Sequence, residues 1–197
     1  MNDELIRRSF HRQVLWRYQT SADALVLNEL GLWHGKCRAD IAVVNGSLTG
    51  YEIKSDQDSL ERLGEQVRAY SAVFDRAVVI TEKKHRERVR SLLPKWWGIV
   101  ICHQGRRGGI RFETLRKSQW NKRVEPVAIA QLLWKPEVIA ILESLGELSN
   151  LTRQRRSVLY ERLAEMVELA ELRHRVRECL KQRKSWRRLG PLFPSVG

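Results

Sequence analysis

Six residues between positions 29 and 70 carry the groups from which a hydrolytic site can be assembled: the carboxylates of Glu29, Asp40 and Glu52, the ammonium of Lys54, the amide of Gln66 and the phenol of Tyr70. Glu52 and Lys54 flank Ile53, so in a strand they share one face, an acid beside a base. Alone, that is an ion pair on an edge strand, and Asp40 alone is a surface acid near a turn. Asp40 and Glu52 side by side are different. Two carboxylates with no cation between them repel, and a divalent metal resolves the repulsion.

The elements around these residues decide whether they meet. Arg38 to Val44 and Leu48 to Lys54 read as short strands separated by Asn45-Gly46, a strong hairpin signal. A two-residue loop pairs Val44 with Ser47, sets Asp40 opposite Tyr51 and turns Glu52 to the other face. A three-residue loop pairs Val44 with Leu48 and sets Asp40 opposite Glu52, since one step of slip exchanges the faces. The longer loop, or an equivalent bulge, is favoured, with a metal between the carboxylates. Glu29 is read on a helix that Ser21 or Asp23 would cap and Gly31 would end, projecting from the apolar side defined by Leu25 and Val26. In a helix from about Asp58 to Phe74, the residues Leu60, Leu63, Val67, Tyr70 and Phe74 form the core stripe, and Gln66 borders it.

The set Glu29, Asp40, Glu52-Ile53-Lys54 and Gln66-x-x-x-Tyr70 resembles the PD-(D/E)XK nuclease superfamily, and its last element is similar to that of the RecB-like exonuclease branch. The phrases Arg-Ala-Asp-Ile-Ala-Val-Val-Asn-Gly and Gly-Tyr-Glu-Ile-Lys-Ser-Asp resemble a bacterial branch placed in that superfamily. The resemblance implies a restriction-endonuclease-like α/β fold and Mg²⁺ (or Mn²⁺) held by Asp40, Glu52 and the carbonyl of Ile53, with Glu29 assisting. It implies that Lys54 orients or activates the attacking water and that Gln66 and Tyr70 brace the site or touch the phosphate. Ala39 stands where the superfamily's name has proline.

Composition points the same way. The chain has 197 residues, enough for one good core and a small second module. Its 36 Lys and Arg against 23 Asp and Glu give a net charge of +13, which favours a polyanionic partner, here DNA. The N-terminal residues lack the pattern of a signal peptide and no stretch has the apolar length of a membrane span, so the expectation is a cytoplasmic protein without a membrane partner. Three widely spaced cysteines, Cys37, Cys102 and Cys179, argue against a disulfide framework, and His34-x-x-Cys37 lacks the second pair a zinc site needs. There is no Gly-x-x-x-x-Gly-Lys, so a nucleotide cofactor is not expected.

Along the rest of the chain, residues 3 to 18 read as a covering helix, with Arg7, Arg8 and Arg12 on its outer surface. The apolar runs at Arg76 to Thr81 and Trp97 to Cys102 read as buried strands, separated by a basic helix from about Glu82 to Leu93. Residues 105 to 115 read as an edge hairpin whose tip carries Arg106 and Arg107, a phosphate contact or a solvated turn. The expected order is a nuclease-like core at 1–116, a linker at 117–124, a basic helical module at 125–190 and a tail at 191–197. In that module Pro126 and Pro136 suit the first turns of two helices, the second ending at Gly146. The piece from Val138 to Leu163, with Arg153, Arg155, Arg156 and Arg162, is similar to a SAP-type DNA-binding motif, although a generic helical hairpin has the same pattern. Residues 150–190 hold a net +7 of the total charge. With Arg38 near the acidic set, these arginines are the expected DNA contacts. The expected function is a metal-dependent DNA nuclease; a non-catalytic DNA-binding module on the same fold, or a transcription regulator built on the C-terminal helices, are the alternatives.

Overall fold

In the computed structural model, which describes residues 1–106, 108–147 and 150–183, six strands form one sheet whose spatial order is the chain order. They are β1 (Leu25–Leu32), β2 (Cys37–Val44), β3 (Leu48–Lys54), β4 (Arg76–Glu82), β5 (Gly98–Gln104) and β6 (Ile110–Arg116). The first three make an antiparallel meander, β3, β4 and β5 run parallel, and β6 returns antiparallel. Parallel neighbours need a crossover, supplied by α3 (Leu63–Val73) and α4 (Arg86–Leu92). The expected mixed α/β sheet is therefore present, with one strand more than the sequence suggested.

That strand corrects the reading of residues 21 to 31 as a helix. The spacing of Leu25, Val26 and Glu29 fits a helical stripe, yet the segment pairs with β2 from Leu25 opposite Val44 to Leu32 opposite Cys37. Two requirements favour the strand. The backbone groups along the outer edge of β2 need partners, and Ile41 to Val44 are buried on both faces. The helix expected from Asp58 also starts later, at Leu63, because the Asp58 carboxylate accepts hydrogen bonds from Ser55 N at 2.7 Å and Ser55 Oγ at 2.6 Å and holds the chain in a turn.

On one face of the sheet, α1 (Asp3–Phe10) passes through a π-helical turn at His11–Leu15 into α2 (Trp16–Gln19). It buries Ile6, Phe10 and Leu15 against Ile41, Val43, Ile53 and Ile80, as a covering helix should. The other face carries α3 and α4 and then α5 (Pro126–Ala130), α6 (Lys135–Ser144), α7 (Arg156–Met166) and α8 (Leu169–Gln182). Pro126 and Pro136 do stand in first turns, and α6 ends at Gly146, whose φ of +90° an L residue with a side chain rarely adopts. Gly50 serves close approach instead: a Cβ there would lie 2.6 Å from the Phe74 ring.

These helices do not form a separate ball. One hydrophobic cluster runs from Leu27, Val44, Val79 and Ile99 in the sheet through Leu63 and Phe74 to Leu142, Leu163 and Leu180. The connecting residues 117–124 are pinned rather than loose. Gln119 N donates to Trp96 O at 2.7 Å, Asn121 N to Asp75 O at 2.8 Å, and Asn121 Nδ2 to Ser71 O and Phe74 O. Arg173 of α8 pairs with the buried Asp75 at 3.0 Å, and Asp75 in turn accepts from Leu48 N at 2.8 Å. Among the described residues no helix is long and apolar enough to cross a membrane.

Candidate functional site

The hairpin between β2 and β3 takes the longer loop. Asn45 N donates to Ser47 O at 3.0 Å, the Asn45 side chain accepts from Ser47 N at 2.9 Å, and Val44 pairs with Leu48. The ladder then runs through Val43 and Thr49, Ala42 and Gly50, to Ile41 and Tyr51. One step further this register sets Asp40 opposite Glu52, and there the backbone ladder ends. Asp40 Oδ2 takes over, accepting from Ile53 N at 2.7 Å. A strand residue's N–H and C=O point to the same side, so the Ile53 carbonyl is also directed into the gap where β2 and β3 part. That gap is the floor of a cleft of about 690 Å³.

Glu52 and Lys54 share the face covered by α3. Glu52 is 1% exposed, and its Oε1 lies 2.7 Å from Lys54 Nζ. Tyr70 OH, wholly buried, donates to Glu52 Oε2 at 2.7 Å, and Gln66 Nε2 donates to Glu52 Oε1. Spacing of four residues on α3 puts the amide and the phenol on the same side, and the apolar stripe of that helix turns both toward the sheet. Gln66 and Tyr70 therefore brace Glu52. Gln66 Oε1, also buried, has no hydrogen-bond partner.

Asp40 is held differently. Burial, and then the charge of Glu52, raise its carboxyl to about 7 against the pull of Ile53 N–H and Arg7. Burial, followed by Glu52, likewise lifts the Tyr70 phenol well above its usual range and raises the Cys37 thiol at the cleft wall. A carboxyl raised by burial and by a second one in a cleft makes that cleft a candidate site.

The third carboxylate arrives from an unexpected element. Glu29 lies in β1, not on a helix, directly across from Asp40 in register, and it is left-handed with φ of +59°. Such a conformation for a non-glycine residue costs about 1–3 kcal/mol and persists only where neighbours enforce it. The neighbours are Arg7 and Arg38. Arg7 Nη1 donates to Glu29 Oε1 at 2.7 Å and to Asp40 O at 3.0 Å; Nη2 donates to Asp40 Oδ1 at 2.9 Å and to Asp3 Oδ2 at 3.2 Å. Arg38 Nε pairs with Glu29 Oε2. Arg7 is thus no outer-surface arginine, as the sequence suggested, but an interior partner of the site. Its one sequence signal is its place directly after the buried Ile6 in a helix otherwise short of acids after Glu4.

A family model described as bacteriophage P4 protein cII matches residues 10–189. The chain belongs to that family. A curated relative, protein cII of Enterobacteria phage P4, is 29% identical over 170 residues, which cover 85% of this chain and 63% of the relative. The chain thus spans less than two thirds of that protein's length. The solved structure of SPO1766, a protein of unknown function from Silicibacter pomeroyi, matches at a TM-score of 0.47 with 16% identity, over 75% of this chain and 92% of that one. Every candidate of the cleft except Asp3 and Arg7 lies within the matched family region.

Of the arginines singled out as DNA contacts, only Arg38 lines this cleft, joined by Lys36, Arg62 and Arg68. Arg106 is exposed at the β5–β6 turn, on the other side of the sheet's strand order, and Arg107 lies outside the described residues. Arg153, Arg155 and Arg156 are exposed around the start of α7, while Arg162 pairs with Glu147 at 3.0 Å. Residues 184–188, which carry part of the charge of 150–190, and the tail 191–197 also lie outside the described residues.

Among the described residues no three His, Cys, Asp or Glu side chains are grouped to hold a metal. Mg²⁺ needs fewer, since it is commonly bound by one or two carboxylates with waters and substrate phosphate completing the shell. Asp40 and Glu52 fit that donor set: their charges oppose each other, and the buried Gln66 Oε1 is an acceptor that a hydrated cation would satisfy.

Proposed function

We propose that this chain is a divalent-metal-dependent DNA nuclease of the PD-(D/E)XK type. The reading rests on one observation: hairpin register sets Asp40 opposite Glu52 at the point where the strands part, with Lys54 on the same face as Glu52. Asp40, Glu52 and the Ile53 carbonyl would hold Mg²⁺ or Mn²⁺, which when bound supplies Lewis-acid charge to a phosphodiester. Lys54 presents its ammonium at the same place and can orient the attacking water. Gln66 and Tyr70 fix the Glu52 rotamer, so that the carboxylate is preorganised rather than recruited. Lys36, Arg38, Arg62 and Arg68 flank the opening and would meet the phosphates on either side. The exposed arginines at α7 would extend that track across the helical region, in a cytoplasmic protein with DNA as partner.

The second reading, a DNA-binding module without turnover, is favoured by the salt bridges that Arg7 makes with Glu29 and Asp40. Digestion separates the two. Circular and linear, single- and double-stranded DNA are incubated with Mg²⁺ or Mn²⁺, beside Asp40→Asn and Glu52→Gln variants. Metal-dependent cutting that both variants lose is the expected result. Wild-type protein that cuts no form, yet binds DNA equally with and without metal, means the binding module.

A further inference from the structure

The Glu29 side of the cleft already contains a cation. All four Nη hydrogens of Arg7 are used, on Glu29 Oε1, Asp40 O, Asp40 Oδ1 and Asp3 Oδ2. The guanidinium side chain is only 15% exposed. Its helix is anchored beside it: Ile6 is fully buried against the sheet, and the imidazole of His11 is hydrogen-bonded at 2.9 Å to Asn28, the neighbour of Glu29. Glu29 is spent on two arginines through a left-handed backbone. Its carboxylate does not join those of Asp40 and Glu52 as a three-membered metal cluster. A dication brought to the same place would sit against a fixed positive charge at hydrogen-bond range of both carboxylates, where the repulsion is least screened.

Building on the metal reading above, we propose that Arg7 is a built-in counter-cation that closes the Glu29 side of the cleft to a second divalent ion. The site then binds one ion, at Asp40 and Glu52, and Glu29 is a positioning residue for Arg7 rather than a metal ligand. An arginine suits this role where a lysine would not, because its planar fork spans three carboxylates and a carbonyl at once. Without Arg7, the carboxylates of Asp3, Glu29 and Asp40 face one another with no interior cation, and a second divalent ion becomes the natural replacement.

The test counts Mn²⁺ bound to the full-length chain by titration calorimetry and, independently, by the spin coupling that paired Mn²⁺ ions show in electron paramagnetic resonance. Wild type is expected to bind one uncoupled ion, Arg7→Ala two coupled ions, and Arg7→Ala with Glu29→Gln one again. Two ions in the wild type, or one in a folded Arg7→Ala chain, overturn the proposal. No ion in the wild type withdraws the metal reading itself, and this inference with it. Should Arg7→Ala fail the circular-dichroism check for folding, Glu29→Gln decides: one retained ion supports a positioning role, and loss of the ion shows that Glu29 is a ligand.

Discussion

In the cleft, strand register sets two carboxylates, Asp40 and Glu52, opposite each other, each with its own cation in Arg7 and Lys54; in the helical region, each buried carboxylate meets an arginine with no second acid opposite it. Arg183 donates to Glu137 Oε1 at 2.7 Å and to Leu132 O at 2.7 Å, with its guanidinium 4.2 Å from the centre of the Trp134 ring. Arg173 meets Asp75 and lies 5.3 Å from the Trp120 ring. Neither pair involves a left-handed residue. The helical region thus uses ionic groups to fasten elements. The cleft keeps a strained Glu29 and a reluctant Asp40, features that stability alone would remove. Buried charge by itself does not single out a candidate site; like charges set opposite each other beside a strained residue do.

The largest effects should come from removing those like charges. Glu52→Gln or Asp40→Asn is expected to lower DNA cleavage by about a thousandfold or more, on the order of 4 kcal/mol in barrier height. Lys54→Ala should do the same in a gel assay while slightly weakening DNA binding, since it alone removes positive charge. Metal-free DNA affinity should hold or rise in the two carboxylate variants. Equal loss of binding in all three would mean a folding defect and erase the contrast.

Next is pH. Asp40 holds its proton more tightly folded, at about 7, than unfolded, near 3.8. Its contribution to stability is therefore complete below about pH 4 and is lost as pH rises toward 7, on the order of 4 kcal/mol in total. Denaturant titrations in chelator should show wild type losing stability across that window relative to Asp40→Asn. Mg²⁺ should restore more stability at pH 8 than at pH 5. Parallel pH curves for the two proteins would contradict the account of Asp40.

A core substitution in the helical region probes the other half. Leu163→Ala, fully buried, is expected to cost about 3 kcal/mol and to lower a single transition reported alike by sheet and helix signals. Two separate transitions would show that the helices are an independent unit after all. The smallest effect belongs to the exposed arginines. Arg155→Ala with Arg156→Ala should reduce the slope of log affinity against log salt by about 2 and leave cleavage chemistry intact. An unchanged slope would remove α7 from the DNA path.

The heart of the candidate site was legible because it is local: Asn45-Gly46, the alternation around Ile53 and the four-residue step from Gln66 to Tyr70 all lie within 30 positions of Asp40. Glu29 was found but placed on the wrong element. One left-handed residue breaks the period-two signal of β1, and what remains matches a helix. Arg7 was missed because its facing is decided by Asp40, 33 residues away, and not by any periodicity of α1. The helices of the C-terminal region were readable from Pro126, Pro136 and Gly146. Their union with the sheet was not, since Asn121 looks like a linker residue until it is seen to bind carbonyls 50 and 47 positions earlier.

Because the sheet's spatial order repeats the chain order, each strand finds its neighbour among residues synthesised just before it. Short turns join β1, β2 and β3 and keep the entropy of those closures low, whereas β4 and β5 are reached through the longer crossovers of α3 and α4. Both members of the carboxylate pair lie within the first 54 residues, far ahead of α8 in the chain. Two closures must wait: Gln13 Nε2 reaches Ile110 O across 97 positions, and Arg173 reaches Asp75. A chain leaving the ribosome therefore exposes the apolar face of these strands until the helices that cover it are made, an interval in which such surfaces are prone to aggregate. Pulse-labelled hydrogen exchange during refolding should protect β2 and β3 amides before those of α8; the reverse order would mean that the helices, not the hairpin, nucleate the molecule.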